Sequence, residues 1–392
     1  MGEVKHMRRP VIVAAARTPV GKIRGALAPL EVDELGAYAV RAAMERADIA
    51  PEDVDEVIFG NCRNMDLKTP ARVVALGAGL PQSTPALTVE RGCGSALNAI
   101  CVAAAMIKAG EGDCYIAGGM ESTSHQPFLM ERGQTIPSAP PKFTTGRSCP
   151  KGMEDLPMGM TAERIAEEMG ITREECDAFG LLSQQRAAAA WENGYFDSQI
   201  VPITVPQKKK DPMVVTKDET VRATTIESLA KLKPSFKPGG VCTAGNSSPL
   251  TDGAGAVVVM ERELAEKAGK KILAEIKGFA TAGCNPSTMG LGPVYATRKL
   301  LKKLNLKLED IDLIEMNEAF AAQSLGCIRE LGMDINKLNV NGGAIALGHP
   351  FGATGAILTT KLLYEMERRD VHLGMVTFCI GGGQGISAIF ER

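Results

Sequence analysis

The sequence predicts an α/β protein built from two similar halves, with a loop-rich segment inserted between them. Three observations predict this. The stretch Glu52-Asp53-Val54-Asp55-Glu56-Val57-Ile58-Phe59-Gly60-Asn61 resembles Glu309-Asp310-Ile311-Asp312-Leu313-Ile314-Glu315-Met316-Asn317, at an offset of 257 residues. About 32 residues after each Asn, a chemically distinctive residue opens a helix rich in small side chains: Cys93 in the first half, His349 in the second. Between roughly 121 and 247 the texture changes and the repeat is interrupted.

Each repeated unit starts with a helix-like stretch, 39–47 and 296–304, and the apolar alternation after each aspartate pair has the period of a strand. The helices at 94–108 and 352–366 are each followed by an apolar strand ending in glycines, 114–119 and 375–381. Duplication of one α/β unit accounts for this order. The expected boundaries are 1–120 plus 248–271 for the first half, 121–247 for the insertion and 272–392 for the second half. Within the insertion, 137–151 is rich in Pro, Lys, Gly and Ser and predicts irregular loop. Segments 161–169 and 172–193 predict helices, the second opened by a capping box of Thr172 and Glu175. Residues 207–211 predict a polar turn.

A chain of 392 residues with 45% hydrophobic and 23% charged residues has globular composition and room for two or three domains. A formal net charge of −2 gives no general argument for nucleic-acid or membrane-surface binding. The longest apolar stretch, 96–107, is interrupted by Asn98 and falls short of the ~20 residues of a membrane span. The basic start, 1–9, precedes an apolar run too short for a secretory signal, and the ending 389–392 matches no address or lipid-attachment signal. A cytoplasmic protein is expected. The ten cysteines include no Cys-x-x-Cys and no Cys/His cluster of metal-site spacing, so neither a metal nor a disulfide framework is expected.

Four stretches carry candidate chemistry. Cys93 follows the strand-like 86–89 and precedes a helix, where the macrodipole and free N–H groups favour a thiolate and offer an oxyanion site. His349 lies in a glycine-rich turn, Gly348-His349-Pro350, and is one of four histidines. Cys379 ends a strand before Ile380-Gly381-Gly382-Gly383-Gln384-Gly385. Asn317-Glu318-Ala319-Phe320 ends a repeat strand. Each alone has an ordinary alternative: a buried structural cysteine, a satisfied turn histidine, a helix cap. Together they fall at the C-terminal ends of strands, where doubly wound sheets bind ligands.

These stretches resemble the thiolases, as do Ala16-Arg17-Thr18-Pro19-Val20-Gly21-Lys22 and Thr243-Ala244-Gly245-Asn246-Ser247-Ser248. The resemblance covers essentially the whole chain, in order. It implies a layered α-β-α-β-α fold and acyl transfer between thioesters of coenzyme A, with coenzyme A and acyl-CoA as substrates and no separate cofactor. It implies Cys93 as the nucleophile and His349 as its activator. His349, with a water held by Asn317, would bind the thioester oxygen. Cys379 would move the proton at the α-carbon, and the N–H groups of Cys93 and Gly381 would form a second oxyanion hole. By the same resemblance, coenzyme A and the acyl group would meet Ser248, Arg222, Leu232, Phe236, Ala244 and Met158, with Met289 and Phe320 flanking the acyl end. A thiolate is both a good nucleophile and a good leaving group, which suits a covalent acyl intermediate.

The sequence departs from the family at Glu90, Gly92, Ala96 and Phe351, which bears on substrate range more than on the reaction. No histidine precedes Met158, and 217–222 with 246–248 look more like the broad 3-ketoacyl-CoA thiolases than the acetoacetyl-CoA-specific ones. A 3-ketoacyl-CoA thiolase is therefore the favoured expectation, with an acetoacetyl-CoA-specific acetyltransferase next. Ketoacyl synthases share the fold but generally use Cys-His-His or Cys-His-Asn sets, against which Cys379 and its glycine tail speak. A thiolase-like lipid carrier would be expected to lack a catalytic residue. The run Lys208-Lys209-Lys210 predicts a solvated turn. A homodimer or homotetramer is expected from the family.

Overall fold

A computed structural model describes residues 8–131 and 140–392; most of the basic start, and positions 137–139 of the expected loop, lie outside the described residues. The first half contains strand β1 (Pro10–Arg17), helix α1 (Val32–Ala47), β2 (Glu56–Gly60), α2 (Pro70–Gly77), β3 (Ala86–Val89), α3 (Ser95–Ala109) and β4 (Cys114–Ser122). The inserted segment carries α4 (Met158–Met169) and α5 (Arg173–Glu192). The chain then returns through β5 (Thr251–Glu261), which pairs antiparallel with both β1 and β4. The second half contains β6 (Ala274–Gly283), α6 (Gly292–Leu304), β7 (Leu313–Met316), α7 (Ala321–Leu331), α8 (Thr354–Arg369), β8 (Leu373–Ile380) and β9 (Gln384–Glu391).

The strand order exposes the duplication. It runs β3-β2-β4-β5-β1 in the first half and β7-β8-β9-β6 in the second. An isolated parallel bridge between Ile314 and Leu338 stands where β3 stands beside β2. The two sets meet edge to edge through two residue pairs, Val11 with Glu275 and Ile12 with Ala274. The short 3-10 turns Pro51–Asp53 and Leu308–Asp310 keep the sequence offset of 257 residues.

Alternation along the strands decides the layers. In β4, Cys114, Ile116 and Met120 pack toward α1 and α2, while Tyr115 and Ala117 face α3. In β8, Met375 packs toward α6, while Val376 and Phe378 face α3 and α8. Helices α3 and α8 therefore lie between the two half-sheets, and α1/α2 and α6/α7 cover the outer faces. This is the expected α-β-α-β-α stack, with strands apolar on both faces because both are covered. The window Gly92–Ala109 has a mean hydropathy of 1.4, enough by composition to cross a membrane, contrary to the sequence expectation. Its apolarity has a local cause: α3 packs between two sheets and against α8. A Cβ on Gly355 would lie 2.1 Å from the Leu97 nitrogen, so the two helices touch backbone to backbone.

The capping box on α5 is formed: Glu175 N donates to Thr172 Oγ1 at 3.2 Å and Thr172 N donates to Glu175 Oε2 at 2.8 Å. The expected polar turn at 207–211 joins two short strands, Ile203–Gln207 and Lys210–Val215, with Lys208 and Lys209 exposed at the bend. The opening motif is structural. Arg17 is buried and gives Asp218 two hydrogen bonds, of 2.8 and 3.1 Å, tying the insertion to the end of β1.

Candidate active site

The turn before α3 shapes the Cys93 environment. Gly92 adopts φ +48°, a left-handed conformation that glycine tolerates best, and a Cβ there would lie 3.2 Å from Ile380 Cγ2. Ser95 Oγ donates to Gly92 O at 2.6 Å and accepts from Arg91 N at 2.8 Å, closing the turn. The half-buried Cys93 stands just ahead of the N-cap Gly94. The N–H groups of Gly381 and of Cys93 itself, with Arg63, favour its thiolate. The sequence expectation that this helix start favours a thiolate is corrected: loss of water pushes the Cys93 thiol up to about 11, outweighing Arg63 and both N–H groups.

Cys379, at the end of β8, is fully buried and close enough to Cys93 for a thiolate there to disfavour its own ionisation. Burial first, and Cys93 second, hold its thiol well above the usual range. It packs with Met289 and Ala319, and Met158 and Phe320 lie against the same cluster. Met158 also covers Gly381, where a Cβ would stand 3.3 Å from its sulfur. Phe236 meets Phe320 edge to face at 5.7 Å, and Gly159 has no room for a side chain beneath the Phe236 ring.

His349 is buried and uncharged, its pKa driven down to about 3 by desolvation. Its Nε2 lies 3.2 Å from Asn317 Nδ2, and its Nδ1 lies 2.7 Å from Thr354 Oγ1. The Asn317 side-chain oxygen is buried and has no hydrogen-bond partner. Phe351 stands edge-on to the imidazole at 4.9 Å, and the Arg63 guanidinium lies over the Phe351 ring at 5.5 Å. His349 is not the strict positional counterpart of Cys93. It precedes Thr354, the first residue of α8, by five positions, whereas Cys93 precedes Ser95 by two. A turn at 350–353 accounts for the difference, with Ala353 N and Thr354 N both bonded to Pro350 O.

The remaining expected residues divide into two groups. Met158, Met289, Phe236 and Phe320 gather around Cys379 or the aromatic pair beside it. Arg222, Leu232 and Ala244 line a surface cleft of about 270 Å³, with Arg222 Nη2 donating to Ala244 O at 3.1 Å. Ser248 is tied to the Cys379 group: its N–H and its hydroxyl both donate to Ala319 O, at 3.0 and 3.1 Å. Among the described residues no group of three or more His, Cys, Asp or Glu is placed to hold a metal ion.

Sequence reasoning missed Cys62, Arg63, Glu121 and Thr354, and it quoted Glu318 only as part of a motif. Glu318 is buried and accepts from Ser183 Oγ and Asn339 Nδ2, each at 2.7 Å, and from Ile345 N at 3.1 Å. The legible signal for Glu121 was a carboxylate ending an otherwise apolar, glycine-containing strand, Gly118-Gly119-Met120-Glu121. Such a group is costly to bury without partners.

The family model of the thiolase N-terminal domain matches residues 10–263, and that of the C-terminal domain matches 270–392. The chain is 47% identical to an acetyl-CoA acetyltransferase of Chromobacterium violaceum over 97% of its own length and 99% of the relative's. Its structure resembles that of the Bacillus anthracis acetyl-CoA acetyltransferase, with a TM-score of 0.93, 42% identity and coverage of 98% and 99%. It also resembles human mitochondrial 3-ketoacyl-CoA thiolase in complex with CoA, with a TM-score of 0.90, 41% identity and 98% coverage of each chain. With both halves matched over nearly the whole chain, the chain belongs to the thiolase family and is an acyltransferase.

Proposed function

We propose that this thiolase transfers acyl groups reversibly between 3-ketoacyl-CoA and coenzyme A through a thioester on Cys93, and that its substrates include acetoacetyl-CoA. The observation that carries this reading is the grouping at Cys93: a thiol just ahead of a helix start, with the Cys379 thiol and the Gly381 backbone close to it.

In the cleavage direction, the Cys93 sulfur attacks the 3-keto carbon while its proton passes to His349 Nε2. A neutral imidazole and a thiol near 11 mean that this proton moves only as the sulfur–carbon bond forms. The N–H donors and His349 with Asn317 supply the dipoles that meet the developing oxyanions. The bond between C2 and C3 then breaks, its electron pair stays on C2, and the Cys379 thiol gives C2 its proton. Acetyl-CoA leaves and the acyl group remains on Cys93. Cys379, now a thiolate, takes the proton of an incoming coenzyme A thiol, whose sulfur attacks the thioester; the bond from the acyl carbon to the Cys93 sulfur breaks, that sulfur recovers its proton from His349 Nε2, and the shortened acyl-CoA leaves. Condensation is the reverse. The coenzyme would enter by the Arg222, Leu232 and Ala244 cleft and pass Ser248.

The two methionines beside Cys379 are flexible side chains that can reshape around different acyl groups, which supports a range of substrates. The second reading, an enzyme restricted to acetoacetyl-CoA, is favoured by the Phe351 ring against His349 and by the names of the bacterial relatives. Cleavage rates on acetoacetyl-CoA and on six- and ten-carbon 3-ketoacyl-CoA decide between them. Measurable turnover of the six-carbon substrate is expected; activity confined to acetoacetyl-CoA would overturn the broader reading. An acetyl adduct on Cys93 after incubation with acetyl-CoA, absent in Cys93→Ser, tests the covalent step.

A further inference from the structure

The geometry points to Glu121 as a positioning residue: one buried carboxylate that sets the Cys93 turn and the His349 loop relative to each other. The inference rests on the acyl-transfer reading above. Glu121 is fully buried at the end of β4. Its Oε2 accepts from Gly352 N at 2.8 Å and from Cys62 N at 3.2 Å, and its Oε1 accepts from Arg63 N at 3.0 Å. Gly352 belongs to the second half and follows His349 by three residues. Cys62 and Arg63 belong to the first half.

Each of these bonds leads to a reacting group. The Cys62 thiol donates to Gly92 O at 2.9 Å and lies 3.3 Å from Ser95 Oγ, so it holds the turn that presents Cys93. The Gly352 peptide is wedged between β2 and β4: a Cβ on Gly60 would stand 2.8 Å from Gly352 O, and one on Gly119 1.9 Å from it. The 61–64 loop is in turn fixed to β4, with Asn64 Nδ2 donating to Ser122 O at 3.0 Å and Ser122 N donating to Asn64 Oδ1 at 3.1 Å. At the other end of the His349 segment, Glu318 holds Ile345 N. The segment is thus clamped by a buried carboxylate from each half, and Glu121 is the one that also reaches the nucleophile's turn.

The clamp has a charge state of its own. Burial raises Glu121 to about 7 against the pull of its N–H donors. The titratable or charged groups that interact with it are Cys62 and Cys93, and Arg63 is tied to it through its backbone. Protonation removes acceptor capacity that three N–H groups use, so the clamp is complete above neutral pH and weakens as pH falls through about 7.

The test uses the full-length enzyme, Glu121→Gln and Glu121→Asp. It reads kcat and KM for acetoacetyl-CoA cleavage, and the rate of iodoacetamide alkylation at Cys93 followed by peptide mass spectrometry, across about pH 6 to 8.5. Glu121→Gln should lower kcat ~10–100-fold, since small misplacement of reacting groups has effects of that size. KM should stay within about twofold, and the acidic limb near pH 7 expected of the wild type should vanish. Glu121→Asp, one methylene short, should lose kcat but keep a limb. A folded Glu121→Gln with wild-type kcat and wild-type limb overturns the inference. If neither variant folds, the wild type still decides: an alkylation profile with no inflection near pH 7 overturns it. Failure of the wild type to transfer acyl groups would sink the acyl-transfer reading, while the alkylation arm still reports on Glu121.

Discussion

The Nδ1 of His349 lies 2.7 Å from Thr354 Oγ1, and the same hydroxyl donates to Pro350 O at 2.8 Å. A hydroxyl has one proton, so with that proton on Pro350 O it can only accept from the imidazole. Nδ1 therefore carries the ring hydrogen, and Nε2 presents its lone pair toward Asn317. Thr354→Val keeps the shape and removes the acceptor. We expect kcat to fall ~10–100-fold with KM little changed, a fraction of what general base catalysis supplies, and Thr354→Ser to restore most of it. Unchanged kcat in a folded Thr354→Val would show that the tautomer is held by something else.

The free enzyme should hold Cys93 as a thiol at neutral pH. A thiol pushed up to about 11 forms more thiolate as pH rises, so alkylation by iodoacetamide should accelerate about tenfold per pH unit from roughly pH 8 to 10 without levelling off. The Glu121 inflection near pH 7 would sit below this rise as a smaller step. A rate that has already reached its plateau by neutral pH would mean that the N–H groups and Arg63 outweigh desolvation, and that a standing thiolate is the nucleophile.

Gly119 should be intolerant of any side chain. Its Cβ would fall 1.9 Å from Gly352 O, backbone against backbone, where nothing flexible can yield. Gly119→Ala is expected to lower stability by at least ~1–3 kcal/mol, the usual range for overpacking, and to displace Gly352 and with it His349. Thermal unfolding and kcat measured together check this. Gly77→Ala is the control: its Cβ meets Ala37 at an ordinary 3.7 Å, and it should stay within about 1 kcal/mol of wild type. Equal tolerance at both positions would contradict the wedge between β2, β4 and the His349 loop.

Much of the fold was legible because it is written as a period. The repeat at 257 residues returns as matching 3-10 turns and matching strand orders. Strands buried on both faces and a helix of small residues are what a covered sheet and a close helix pair require. The part that misled was local reasoning about Cys93 and His349. Placing Cys93 at a helix start captured the favourable dipole but not the desolvation that outweighs it. Treating His349 as the counterpart of Cys93 missed the turn at 350–353, which shifts the histidine away from the helix. The motif around Arg17 carried family resemblance without a role, and the structure makes Arg17 an anchor for Asp218.

The sequence by itself determined the duplicated architecture and the kinds of candidate group, because hydrophobic period and motif chemistry are local properties of a chain. The tertiary structure decided which groups meet and in what protonation state. Glu121 acts on Gly352 across 231 residues and on Cys62 across 59, and His349 owes its neutrality to burial. Desolvation and hydrogen-bond direction depend on what surrounds an atom in space, and no spacing along the chain records that.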